Sequence, residues 1–261
     1  MPSLAYLHVD GVTKRFGSGP NGVSAIEGVS FDVREGTFLS ILGPSGCGKS
    51  TLFNLIAGLS QPSEGDITNG GLSVIGKPGQ VGYMLQKDLL LPWRTIEDNI
   101  ILGQTLHGVS RSTAACEAAP LIERCGLTGF EHHRPHQLSG GMRQRAALLR
   151  TLLTGKDVLL LDEPFGALDA ITRLQLQMLL TDVWQEMRKT ILFVTHDVDE
   201  ALLLSDEILL LSARPGRVLK RFFVDLPRPR TPDMLADHNV AALKADIMGM
   251  LWKEVRRDEP C

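Results

Sequence analysis

Apolar residues in this chain follow two patterns. Three short unbroken runs, Thr37 to Leu42, Val158 to Leu161 and Ile191 to Thr195, are too short for an ordinary helix and lack clean alternation. Such runs predict strands buried on both faces of a parallel sheet. Helical spacing follows two of them: Leu52, Leu55, Ile56 and Leu59 after the first, and Leu176, Leu180, Val183 and Met187 after the second. Strand alternating with helix predicts an α/β sheet.

Between the first two strands, residues 89 to 153 are helical in pattern and contain no convincing strand, which predicts an inserted helical subdomain. Its first helix is expected to start at Thr95, whose hydroxyl precedes an acidic residue by three positions in Thr-Ile-Glu-Asp. Pro120 is expected to break the helical pattern that follows. From Ala213 the chain changes character: Arg-Pro-Gly-Arg at 214–217, Leu-Pro-Arg-Pro-Arg-Thr-Pro at 226–232, then a stretch with Val240, Leu243, Ile247 and Leu251 on one face. The plan is a cassette over residues 1–225, followed over 226–261 by a proline-rich linker and an amphipathic helix. A dimer contact, a regulatory flap and simple packing are all open to that helix, and the apolar stripe favours packing. There is no internal repeat.

At 261 residues and 43% hydrophobic, the chain has enough apolar surface for one sizeable core, or one core plus a smaller subdomain. The net charge of −3 gives no basic excess for a phosphodiester backbone, so nucleic acid is not an expected partner. The four cysteines, Cys47, Cys116, Cys125 and Cys261, have no metal-ligand or CxxC spacing, which fits a reducing compartment. Met1 to Asp10 lacks a basic leader and an apolar core, and no apolar run approaches a membrane span. Any membrane connection is expected to run through a partner.

The first candidate chemistry lies after the first strand, where Gly43, Pro44, Ser45, Gly46, Cys47, Gly48, Lys49, Ser50 and Thr51 match G-x-x-x-x-G-K-[ST] and open an amphipathic helix. Its glycines let backbone N–H groups turn toward anionic oxygens, and the helix adds its positive dipole end. Lys49 is expected to reach the β- and γ-phosphates of a nucleotide, and Ser50 a Mg²⁺ ion. A glycine turn that binds nothing is the plain alternative, and the full motif in this context disfavours it.

The second strand ends in Asp162-Glu163-Pro164, where open α/β sheets place ligands. Asp162 fits the acid that orients Mg²⁺, and Glu163 is placed to polarise a water for attack on the γ-phosphorus. Alone, paired acids more often cap a strand end. The third strand leads to His196, and although a single histidine is more often structural, its convergence with the loop and acid pair favours a catalytic role. Finally, Leu138-Ser139-Gly140-Gly141-Met142-Arg143-Gln144 precedes a helix with Met142, Ala146, Leu149 and Leu153 on one face. Ser139 can cap that helix and leave N–H groups for an anion, and a plain helix start fits these residues equally well.

Taken together, Gly43 to Thr51, Gln86, Leu138 to Gln144, Leu161 to Pro164, Ala167-Leu168-Asp169 and His196 resemble, in order and spacing, the ATP-binding subunits of ABC transporters, over roughly residues 4 to 225. The Leu-Ser-Gly-Gly-x-x-Gln element separates that family from other P-loop proteins. The resemblance implies an α/β P-loop NTPase fold with a parallel-sheet core, an N-terminal antiparallel β region and an inserted helical subdomain. It implies hydrolysis of ATP with Mg²⁺ in a head-to-tail homodimer, where Ser139, Gly140, Gly141 and Gln144 of one protomer close over ATP held by the other. By the same likeness Gln86 contacts Mg²⁺ and senses a membrane partner, Asp169 links the two sites, and His196 holds the γ-phosphate. Phe16 falls where the family stacks an aromatic ring on adenine, a core aromatic being its plain alternative.

The loop Gln86 to Asn99, with Leu89 to Trp93 apolar and proline-bearing, is suited to a partner's helix or to ordinary packing. This loop, Ala213 to Arg217 and Val224 to Arg230 resemble the importer subunits for nitrate, sulfonate, taurine and bicarbonate. In such a system two transmembrane permease subunits form the path and a periplasmic or lipid-anchored binding protein delivers the solute. Two copies of this chain then sit peripherally on the cytoplasmic face of the bacterial inner membrane. Three other readings compete: a non-transport ABC ATPase of DNA repair or translation, the cassette of another transporter class, and a regulatory protein that binds ATP without hydrolysis. The short interval from Lys49 to Ser139 leaves no room for the long coiled coils of repair relatives, and Glu163 with His196 speaks against a silent site.

Overall fold

The computed structural model describes residues 6–17, 22–166 and 168–258, so that Ala167 and Cys261 lie outside the described residues. The strands in chain order are β1 (Leu7–Phe16), β2 (Val23–Val33), β3 (Phe38–Leu42), β4 (Glu64–Asn69), β5 (Leu72–Ser73), β6 (Gly82–Met84), β7 (Val158–Asp162), β8 (Thr190–Val194), β9 (Glu207–Leu211) and β10 (Val218–Phe223). The helices are α1 (Lys49–Ile56), α2 (Ile96–Ile100), α3 (Leu102–Leu106), α4 (Arg111–Arg124), α5 (Gly140–Leu152), α6 (Ala170–Met187), α7 (Val198–Leu204) and α8 (His238–Asp258). They divide into two compact units, one holding the described residues up to Val81 and from Arg188 onward, the other Gly82–Met187.

The first unit contains an antiparallel sheet in the order β2-β1-β4-β5. Along β1, Leu7 and Val9 are buried while His8 and Asp10 are exposed, the alternation of a strand with one wet face. The same unit contains the parallel core: β3 pairs in parallel with β8 on one side and β9 on the other, and β10 adds antiparallel to β9. Every residue of β3, β8 and β9 is buried, which is why these strands read as continuous apolar runs. Thr37 lies just before β3 and Thr195 just after β8, each expected inside its strand.

Two expectations in the helices need correction. Leu59 does not extend the α1 stripe: the helix stops at Ile56, Gly58 takes a φ of 71°, and Leu59 is 58% exposed. A Cβ at Gly58 would meet the backbone of Lys77 and Val74 at 2.7 Å, so the chain packs too closely there for another helical turn. In the second unit, α4 runs through Pro120 rather than breaking at it. Ala114, Ala118 and Ile122 form a buried stripe that crosses the proline, and their packing outweighs the one backbone hydrogen bond the ring removes.

Helices α2 to α5 share the second unit with the parallel pair β6–β7 and with α6, whose Leu176, Leu180 and Val183 are buried. The expected cap forms at Thr95, whose side chain accepts from the N–H of Asp98 at 3.1 Å. In the first unit, α8 lays Val240 and Ile247 onto a cluster with Leu42, Leu202, Ile208 and Phe222, with Leu243 and Leu251 partly buried beside them. Of the three roles open to this helix, packing is the one its contacts display.

Candidate functional site

The glycine loop sits between β3 and α1, and two of its glycines are forced by contact. A Cβ on Gly43 would lie 2.8 Å from the Cys47 Sγ and 3.1 Å from the Leu211 carbonyl oxygen. Gly48 takes a φ of 102°, and a Cβ there would meet Ile26 Cγ2 at 2.5 Å and the Ala25 carbonyl oxygen at 2.8 Å. Gly48 is also the N-cap of α1; no side chain caps the helix and no acidic residue occupies its first turn, which leaves its positive end free for an anion. Lys49 is buried, with Nζ donating to the carbonyls of Gly43 at 2.8 Å and Pro44 at 2.9 Å. Ser45, Gly46 and Ser50 are exposed, Pro44 and Thr51 half-buried. Burial pushes the Cys47 thiol above its ordinary value, so it behaves as a packed side chain in the loop.

Ala213 to Arg217, in the sequence a change of character and a mark of resemblance, form a turn that supports the loop. Arg214 Nε donates to the Gly46 carbonyl at 3.3 Å, and Gly216 is so close that a Cβ would lie 2.1 Å from the Cys47 carbonyl oxygen. The Pro-Gly pair was the available signal: glycine is needed where one backbone rests on another. His196 lies two residues past the end of β8 and is exposed. Phe16, at the end of β1, is 50% exposed, with Lys14 Nζ 5.1 Å from its ring centroid, so it is not a core aromatic.

In the second unit Asp162 is the last residue of β7 and is buried. Burial and, after it, the charge of Asp162 hold the Tyr83 phenol well above its ordinary value. Glu163 takes a φ of 49°, a left-handed conformation that costs a non-glycine residue about 1–3 kcal/mol and tends to mark functional sites. Its Oε2 accepts from Gln86 Nε2 at 3.0 Å. The loop after Gln86 is anchored by residues that sequence reasoning did not single out. Arg143 Nε donates to Asp88 Oδ2 at 3.0 Å, Arg150 reaches the carbonyls of Asp88 and Leu89, and buried Asn99 holds both the N–H and the carbonyl of Leu91. Leu89 and Trp93, at 52% and 68% exposure, stay on the surface, contrary to ordinary packing.

Ser139 is the N-cap of α5, its side chain accepting from the N–H of Met142 at 3.3 Å. Ser139 and Gly140 are exposed and Gly141 half-buried, whereas Gln144 is buried beside the stripe of Ala146 and Leu149. Asp169 caps α6, its Oδ1 accepting from the N–H groups of Ile171 and Thr172, and the bonds to Thr172 hold its carboxyl below the usual range. Among the described residues no group of three or more His, Cys, Asp or Glu is arranged to hold a metal. The donors expected for Mg²⁺, the Ser50 hydroxyl, the Gln86 amide oxygen and the Asp162 carboxylate, are all hard oxygens and too few for a cage. That set fits an ion held largely through phosphates and water.

A P-loop in this setting, an Asp-Glu pair ending a buried strand and a serine-capped Ser-Gly-Gly helix define an ATP-binding cassette. Residues 26–166 match the family described as ABC transporter, and the chain belongs to that family: it is an ABC transporter ATP-binding subunit and an ATP hydrolase. It is 41% identical over 253 residues, 95% of this chain and 98% of the relative, to the taurine import ATP-binding protein TauB of Yersinia pestis bv. Antiqua (strain Antiqua). It is 46% identical over 224 residues, 86% of this chain and 84% of the relative, to the uncharacterized ABC transporter ATP-binding protein MJ0412 of Methanocaldococcus jannaschii. Among solved structures, the dimeric post-hydrolysis state of the cassette MJ0796 bound to ADP and Pi matches with a TM-score of 0.76 at 29% identity, covering 85% of this chain and all of that one.

Proposed function

We propose that this chain powers an importer for a small anionic solute of the taurine, sulfonate or nitrate type. The observation that carries this reading is its 41% identity, across 95% of its length, to a protein named for taurine import. Two copies form a head-to-tail dimer on the cytoplasmic face of the inner membrane, joined to two permease subunits and served by a periplasmic or lipid-anchored binding protein. The dimeric form of the similar cassette supports the first of these partners, and exposed Leu89 and Trp93 support the second.

In this reading the loop Gly43–Thr51 binds the phosphates, Lys49 turns its ammonium from the Gly43 and Pro44 carbonyls to the β- and γ-oxygens, and Phe16 stacks on adenine. Ser50, Gln86 and Asp162 hold Mg²⁺, which when bound neutralises phosphate charge. Glu163 polarises the attacking water, and its hydrogen bond to Gln86 and constrained backbone support a fixed aim. His196 holds the γ-phosphate. Ser139, Gly140, Gly141 and Gln144 close over the nucleotide of the second copy, and Asp169 serves the dimer contact.

ATP hydrolysis is to be measured with the chain alone and with its permease subunits in lipid, adding binding protein and taurine, other sulfonates or nitrate. Stimulation by one solute is expected. Activity indifferent to every membrane partner and solute would refute the importer reading while leaving the ATPase intact.

A further inference from the structure

The helix after His196 is fastened to the histidine's two neighbours. Asp197 caps α7, its Oδ1 accepting from the N–H groups of Asp199 at 2.8 Å and Glu200 at 3.4 Å. Glu200, in the first turn, is buried and accepts from the Thr195 hydroxyl at 2.6 Å, and the same hydroxyl oxygen accepts from the Asp197 N–H at 3.0 Å. Thr195 and Asp197 flank His196, so a displacement of α7 is passed to the histidine backbone.

The placement of α7 is set in turn by the C-terminal segment. Lys244 of α8 donates to Asp199 Oδ2 at 2.7 Å. At the other end of α7, Arg228 donates to the Leu204 carbonyl at 2.7 Å, and buried Arg230 to the carbonyls of Leu202 at 2.9 Å and Ser205 at 2.6 Å. Cationic donors on the last carbonyls of a helix satisfy its orphan acceptors and oppose its dipole. Lys244 and Met248 also line, with His196, Asp197 and Asp199, a single cavity of about 330 Å³.

We propose that the C-terminal segment is a clamp on α7 that positions His196, with Lys244 as a positioning residue acting through Asp199, Glu200 and Thr195. The inference rests on the reading that His196 acts at the γ-phosphate. Lys244 and Asp199 each have side chains 43% exposed, so their pair adds little to folding. Removing it therefore separates aim from stability.

The test compares the full chain with its Lys244→Ala, Lys244→Arg and His196→Ala variants in steady-state ATP hydrolysis, thermal unfolding and NMR of the histidine side chains, His196 being assigned by its loss in His196→Ala. Lys244→Ala is expected to lower kcat about 3- to 10-fold with KM for ATP changed less than about twofold, since small misplacements of a reacting group act on turnover. The His196 resonance shifts or broadens in that variant, and Lys244→Arg restores both readouts with the unfolding midpoint unchanged. A parental kcat and an unmoved His196 resonance in Lys244→Ala, beside an inactive His196→Ala, overturn the clamp alone. Parental turnover in His196→Ala overturns the nucleotide role of His196 and the clamp with it.

Discussion

At Gly48 the backbone turns with a φ of 102° against Ile26 and Ala25, so the residue type is dictated twice, by conformation and by space. Gly48→Ala is expected to distort the loop and weaken ATP binding about 5- to 150-fold, matching a strain of about 1–3 kcal/mol. Calorimetric titration with ATP checks this, and parental affinity would show that the loop yields more easily than its contacts suggest. The glycine was legible from the motif, but the wall it rests on was not, because Ala25 and Ile26 belong to a separate strand earlier in the chain. Glu163 shows the same division. Its carboxylate at a strand end could be read directly, while its left-handed backbone shows only in the fold and its bond from Gln86 comes from a neighbour far back in the chain.

Among the elements, α8 tests how far an amphipathic stripe can be trusted. Val240, Leu243, Ile247 and Leu251 were expected on one face, and the helix buries Val240 and Ile247 against Leu202 and Phe222. Each buried aliphatic side chain contributes about 1.5–3 kcal/mol, so the two alone approach a large share of a domain's net stability. A chain ending at Asp237 is expected to lose its cooperative thermal transition or to aggregate; a transition at the parental temperature would mean that α8 is an accessory to the fold. Sequence reasoning misjudged α4 as well as the end of α1. A local rule about Pro120 was applied where burial of Ala114, Ala118 and Ile122 decides the outcome.

For the whole molecule, the state that tests the proposed function is the proposed ATP-bound pair. A general base contributes about 10²–10⁴-fold to turnover, so Glu163→Gln is expected to abolish measurable hydrolysis and accumulate a closed dimer with ATP. Light scattering on a size-exclusion column reads this as a doubling of mass upon adding ATP. A variant that stays monomeric with ATP bound, or turns over at the parental rate, counts against the proposed base and against closure.

The chain's own order of residues determined the parallel strands, the phosphate loop, the Asp162–Glu163 pair, the Thr95 and Ser139 caps and the family, because each is local and its chemistry needs particular residues at close spacing. Only the tertiary structure decided which residues support them: Arg214 and Gly216 beneath the loop, Arg143 and Arg150 behind Gln86, and Arg228, Arg230 and Lys244 around α7. Arg143 and Lys244 pair with the carboxylates of Asp88 and Asp199, and the others donate to or rest on backbone. A carbonyl carries no mark in the sequence of which distant side chain will satisfy it.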